Sequence, residues 1–260
     1  MISCALLNPA KKGVIMEDII VIASGKGGTG KSTVSVGLGT ALAKSGSRVL
    51  LIDCDSGMRG LDIMLGVEQN LVFDIADAVS GSCTVENTVY PCPDKKGLFL
   101  MPAPLNAYDE VAPQILGQLV DGVADIFDYV IIDSPAGVGS GFEAAAFPAK
   151  RALVVVNTEP TSIRGARTVA ARLRECGVDN IRLVINRFNK NTFRKMGLYR
   201  DLDEVIDITA LRLIGIVPED HTLAAAIQSG KSGELNAPAM KALGNIAQRL
   251  QGRLVPLMIK

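Results

Sequence analysis

An α/β fold, a doubly wound and mostly parallel sheet of about seven or eight strands flanked by helices, is predicted by three features of this 260-residue sequence. From Ile19 onward short apolar runs alternate with amphipathic stretches, the rhythm of βα units. The apolar runs are nearly continuous rather than alternating, so their strands are buried on both faces. A glycine-rich loop joins the first run to the first helical stretch, at the end of the strand where such sheets carry their functional loops.

The expected strands are Ile19–Ala23, Val49–Ile52, Leu98–Met101, Tyr129–Ile132, Leu153–Val156, Ile181–Ile185 and Leu213–Val217, each short and rich in β-branched residues. The helices between them are Lys31–Ser45, which Gly46 can stop in a left-handed conformation, then Asp109–Phe127, Ile163–Cys176 and Ala237–Leu250. No repeat or low-complexity linker divides the chain. One domain over 16–250 follows, with residues 1–15 a loose extension and 251–260 a tail that is a candidate membrane contact.

Composition narrows the class. Hydrophobic residues make up 48% of the chain but aromatics only 4%, so the core is built from Ala, Val, Ile and Leu. The 27 basic and 27 acidic residues balance, which argues against a strongly nucleic-acid-binding surface. Cys4, Cys54, Cys83, Cys92 and Cys176 make no CxxC pair or metal-ligand spacing and read as reduced cytosolic thiols. No apolar run reaches the ~20 residues of a membrane-spanning helix. Lys11 and Lys12 follow the apolar N-terminal residues instead of preceding them, the wrong order for a signal peptide.

The strongest motif is Gly25-Lys26-Gly27-Gly28-Thr29-Gly30-Lys31-Ser32, followed by Thr33. It fits G-x-x-x-x-G-K-[ST] between a strand and a helix. Glycines let backbone N–H groups converge on phosphate oxygens where a Cβ would intrude, and the helix adds its positive end. Lys31 is placed to reach the β- and γ-phosphates of ATP, and the Ser32 hydroxyl to ligate Mg²⁺. Asp53 and Asp55 end one strand run and Asp133 another, where carboxylates face the ligand crevice. Apolar residues and then Asp133 make the Walker B pattern, which holds Mg²⁺ directly or through water.

The extra lysine in the loop, Lys26, resembles the deviant Walker A (ParA/MinD) family of P-loop ATPases. Ile52–Asp55, Gly57–Asp62, Asp133–Gly137 and Val217–Asp220 extend the likeness, closest to the MinD type, from about residue 16 to 250. The resemblance implies that Lys26 crosses a dimer interface to touch the partner's nucleotide, a cation acting as an arginine finger does. It assigns Asp55 to orienting the attacking water, Asp53 to supporting the metal shell, and the Gly137 N–H to sensing the γ-phosphate. Asn186 and Arg187, with Pro218 and Glu219, fall where family members hold the adenine.

It further implies a homodimer on ATP binding and a cytoplasmic protein held peripherally on the anionic inner face of the membrane. Partners would be a division inhibitor and an ATPase-stimulating protein of the MinC/MinE kind. The sequence departs from the pattern at Gly60, where Asn is usual, and at Gly165 and Arg167, which replace acidic residues of a partner-binding helix beginning near Arg164. Gly252 and Pro256 oppose a continuous helix in the tail.

Rival functions carry weaker marks. A DNA-segregating relative would use the basic second half, where Arg164, Arg167, Arg172, Arg174, Arg182, Arg187, Arg194 and Lys195 fall, but acids interrupt it. A MinD-like regulator of flagellar number would share the same motifs. An iron–sulfur reductase would need cysteine after Asp133, and Ser134–Phe142 contains none. His221, the single histidine, is expected to be a surface residue.

Overall fold

The computed structural model describes residues 18–106, 109–231 and 236–257. The expected 1–15 extension and the tail residues 258–260 lie outside them. One eight-stranded sheet runs in the order β3-β4-β2-β5-β1-β6-β7-β8. Its strands are β1 Asp18–Ala23, β2 Val49–Asp53, β3 Tyr90–Pro91, β4 Leu98–Met101, β5 Tyr129–Asp133, β6 Arg151–Val156, β7 Asn180–Phe188 and β8 Arg212–Pro218. Every pairing is parallel except β3 with β4. The two-residue β3 is the strand that hydrophobic patterning missed, since Pro91 interrupts its run. A short, proline-bearing strand suits a sheet edge, where a missing donor does no harm.

The helices are α1 Lys31–Lys44, α2 Leu61–Leu65, α3 Ile75–Val79, α4 Pro113–Ala124, α5 Ser140–Ala146, α6 Pro160–Glu175, α7 Lys190–Met196, α8 Leu202–Thr209, α9 His221–Gln228 and α10 Pro238–Leu250. The helix expected over Asp109–Phe127 is shorter at both ends. Pro113 holds the first-turn position in α4, which turns the preceding residues extended. Proline also opens α6 and α10, starting the former three residues earlier than expected and the latter one residue later.

Side chains alternate across the sheet into two cores. Ile19, Val21, Ile52, Val130, Ile132, Val154 and Leu183 pack under α4, α5, α6 and α8. Ile20, Ile22, Leu51, Ile131, Val155 and Val184 pack under α1, α2, α9 and α10. This double burial explains why the strands read as unbroken hydrophobic runs.

After α10 the chain turns back. Gly252 takes a left-handed φ of 79°. The Arg249 guanidinium donates to the carbonyls of Val255 (3.0 Å), Pro256 (2.8 Å) and Ile214 in β8 (2.8 Å). The described tail is therefore a clasped, non-helical segment, as Gly252 and Pro256 require.

Candidate nucleotide site

The central strand order brings three loop-bearing strand ends together. In the register, Asp133 of β5 sits beside Ile22 of β1 on one side and Asp53 of β2 on the other. The loop after β1 thus has both carboxylates on the same side of it, Asp133 on the adjacent strand and Asp53 one strand further.

Within the loop, Gly28 and Gly30 have φ of 78° and 88°. The space where a Cβ on Gly28 would sit is open, whereas a Cβ on Gly30 would collide with Asn186 Nδ2 at 2.4 Å. Gly30 caps α1 without any side-chain acceptor, which leaves the first-turn N–H groups aimed outward. The Thr29 hydroxyl is buried with no hydrogen-bond partner. An open cradle of uncapped amides is what a polyphosphate requires, so the residues fit ATP.

Lys31 is 9% exposed. Its Nζ donates to Ser24 Oγ at 3.1 Å, and Ser24 Oγ donates to the carbonyl of Lys26 at 2.8 Å. Burial lowers the Lys31 pKa, with Asp133 and Asp55 opposing that shift. Asp133 is buried and accepts from Ser35 Oγ at 2.8 Å. Burial pushes its pKa up to about 6, against hydrogen bonds from Ser32 and Ser35. Ser32 and Asp133 are therefore adjacent, as a hydroxyl and a carboxylate sharing Mg²⁺ must be. Among the described residues no three His, Cys, Asp or Glu side chains form a metal cage. Mg²⁺ held largely by substrate phosphates does not need one.

Asp53, expected to support the metal shell, has both oxygens engaged by backbone amides. Oδ1 accepts from Asp55 N (3.0 Å), and Oδ2 from Gly60 N and Leu61 N (3.3 Å each). It fixes the loop that carries Asp55. Burial, then Asp133, raises its pKa to about 7. Asp55 is only half-buried, with its pKa raised by burial and lowered in part by Lys31. The Gly137 N–H, expected at a γ-phosphate, donates here to Ser24 O at 3.2 Å, so this loop is hydrogen-bonded to the root of the phosphate loop.

The two loop lysines diverge. Lys26 leaves its side chain 42% exposed and forms an ion pair with Glu159, the residue capping α6, which in turn accepts from Asn157. The Lys26 hydrogen bond holds the Glu159 pKa below the usual range. Asn186, expected at the adenine, is buried and donates to Thr29 O at 2.9 Å, propping the phosphate loop from below. Arg187 beside it has a left-handed φ of 52°. Glu219 accepts from Asn189 at 3.1 Å, while Asp220 caps α9 and His221 is exposed in the first turn of that helix. Ser35 lies outside every motif of the sequence, and only its contact with Asp133 gives it a place in the site.

On fold and site together the molecule is a P-loop ATPase, a class whose chemistry on ATP is positioning and charge neutralisation around Mg²⁺. Residues 20–233 match the CobQ/CobB/MinD/ParA nucleotide-binding domain. The septum site-determining protein MinD of Bacillus subtilis is 38% identical over 251 residues, 94% of this chain and 92% of that protein. The chain in the MinC:MinD cell division complex of Aquifex aeolicus superposes with a TM-score of 0.85 at 36% identity, covering 93% of this chain and 99% of that one. The cell division ATPase MinD of Pyrococcus furiosus gives 0.79 at 27% identity over 90% and 98%. The chain belongs to the MinD proteins of the CobQ/CobB/MinD/ParA family.

Proposed function

We propose that this ATPase is the nucleotide switch of division-site selection: ATP binding makes it dimerise, and the dimer docks on the anionic inner face of the membrane. There it presents a surface to a division inhibitor of the MinC kind, and hydrolysis, stimulated by a partner of the MinE kind, releases it. The observation that carries this reading is the divergence of the two loop lysines. Lys31 is buried against Ser24 and belongs to its own nucleotide, while Lys26 faces solvent on Glu159, available to a second copy.

The loop amides and Lys31 hold the phosphates, Ser32 and Asp133 hold the metal, and Asp55 orients the water. Lys26 of a second copy neutralises charge developing on the transferred phosphoryl group. Mg²⁺, when bound, supplies neutralisation at the phosphate oxygens. The test is analytical ultracentrifugation of the Lys26→Ala chain with ATP. A monomer that still binds nucleotide but hydrolyses it at least ~10³-fold more slowly is expected, within the range of fingers acting in trans. Normal dimers with normal turnover would refute the role of Lys26.

A further inference from the structure

A cavity of about 240 Å³ lies between the loops that follow β2 and β5. Its wall holds Asp55 and Ser56 of the first loop and Pro135 and Ala136 of the second. Ile75, Leu116 and Phe142, buried in the core under α4 and α5, make an apolar floor. Glu110, Gly139 and Ser140 also line it and are exposed, so the cavity is open to solvent there. None of the phosphate-loop residues 25–33 lines it, and α1, which that loop opens, packs on the other face of the sheet. The cavity is therefore separate from the phosphate cradle.

Asp55 belongs to both. Its carboxylate is close enough to Lys31 for each to oppose the other's burial shift, and Lys31 is the cation of the phosphate site. The same residue lines the cavity. Gly141 keeps the junction tight. A Cβ there would lie 2.9 Å from Pro135 Cγ and 3.9 Å from the Cys54 carbonyl oxygen, so both loops and the first turn of α5 meet with no side chain between them.

The lining selects the occupant. Several waters fit at ~30 Å³ each, and Asp55, Ser56, Glu110 and Ser140 offer them polar partners. Two carboxylates and no cation in the lining disfavour an anion, so free phosphate is a poor occupant. In the dimer proposed above, the second copy covers the nucleotide from its open side. Water for hydrolysis must then arrive from another direction.

We infer that this cavity supplies the attacking water, holding it against Asp55 and delivering it to the γ-phosphate from the α4–α5 side of the sheet. The inference rests on the assignment of Asp55 as the residue that orients that water. The water oxygen bonds to the γ-phosphorus as the bond from that phosphorus to the bridging oxygen breaks. ADP leaves with the electron pair of that bond. One water proton stays on the inorganic phosphate and the other is released to the waters of the cavity.

The test is single-turnover hydrolysis of ATP with Mg²⁺ by the full chain, with cleavage followed by quench-flow and phosphate release by a fluorescent phosphate sensor. Wild type is compared with Val111→Phe, Gly139→Leu, Val111→Ala and Asp55→Asn. Val111 lines the cavity and is partly buried against the core, while Gly139 has a φ of −79° and a Cβ on it would meet nothing within 4 Å. Each can therefore carry a larger side chain without backbone strain. Both fillings should leave ATP affinity and dimerisation unchanged and slow cleavage by at least ~10²-fold, the low end of what a positioned proton acceptor contributes. Val111→Ala, which enlarges the cavity, should cleave at the wild-type rate.

Cleavage at the wild-type rate in both filled chains, with Asp55→Asn inactive, overturns the water supply and leaves the role of Asp55 standing. Normal cleavage by Asp55→Asn overturns that role and the water supply with it. Normal cleavage followed by delayed phosphate release in the filled chains would make the cavity an exit instead. Lost ATP affinity or lost dimers in the filled chains, or equal slowing in Val111→Ala, would make the wall a structural part of the switch and equally overturn the inference.

Discussion

Gly25 and Gly165 meet backbone to backbone: a Cβ built on Gly25 would lie 2.7 Å from the Gly165 carbonyl carbon, Cα and oxygen. The root of the phosphate loop is thereby packed against the second turn of α6, the helix whose cap holds Lys26. A glycine at Gly165 is thus explained by close approach. Backbone cannot yield as a flexible side chain can, so Gly25→Ala should destabilise the chain by about 1–3 kcal/mol and weaken ATP binding by tilting the loop. Gly165→Ala should cost less, because its Cβ would meet Gly25 at 3.1 Å, a gap that a few tenths of an ångström relieves. Urea unfolding with and without ATP measures both; a Gly25→Ala chain as stable as wild type would contradict the contact.

Much of this was legible from sequence because parallel strands buried on both faces cannot hide. Seven strands fell within a few residues of the pattern, and the phosphate loop and Asp133 announced themselves by composition and position. Short helices did not. α2, α3, α5, α7, α8 and α9 are five to eight residues long, too short to show a 3.6-residue period, and several begin from side-chain caps such as Asp74, Asn189, Asp201 and Asp220. Supporting roles were harder to read. Ser35 is an ordinary polar residue until the fold aims it at Asp133, and Asn186, expected at the adenine, shows its bond to Thr29 only once the fold is built. Asp53 was legible as a strand-end carboxylate, but its bonds to Gly60 and Leu61 depend on how the following loop curls back.

The Lys26–Glu159 pair separates stability from function. Both side chains are roughly half exposed, and such pairs contribute at most about 1 kcal/mol. Glu159→Gln should therefore leave the melting temperature within about 2–4 °C of wild type, the range that so small a change allows at this size. Differential scanning calorimetry checks this, and a drop of ten degrees would mean that the pair holds α6 in place.

Lys31 and Ser24 should differ in consequence although they touch. Lys31→Ala removes the buried cation aimed at the phosphates and should weaken ATP binding by at least ~10²-fold, the worth of a charge-assisted contact or two. Ser24→Ala removes only the acceptor that positions Nζ and should cost about threefold to tenfold. Isothermal titration with ATP and Mg²⁺ distinguishes them. Equal losses would show that Ser24 acts through the loop's fold instead of through Lys31.

The buried carboxylates make the metal-free chain more stable in mild acid. Asp53 and Asp133 have folded pKa values of about 7 and about 6, against 3.8 for the free group. Between roughly pH 4 and 7 the native state holds protons that the unfolded chain has released. Stability is then greatest below the unfolded value and is lost as pH rises through the folded ones. Groups with lowered pKa values, such as Glu159, Asp201 and Asp220, act in the opposite sense but complete their titration below this window. In EDTA, stability should fall by about 1–2 kcal/mol between pH 5.5 and 7.5, less than the ~1.4 kcal/mol per proton and pH unit that full coupling allows. Asp133→Asn should flatten that fall and leave the metal-free chain the more stable of the two at pH 7.5, yet inactive with Mg²⁺ and ATP. Metal and nucleotide should reverse the slope for the wild type, since Mg²⁺ displaces those protons and binds more tightly as pH rises. Urea melts at three pH values, in EDTA and in Mg²⁺ with ATP, read all of this. A wild-type stability that climbs from pH 5.5 to 7.5 in EDTA would mean that the two carboxylates are already ionised in the empty site.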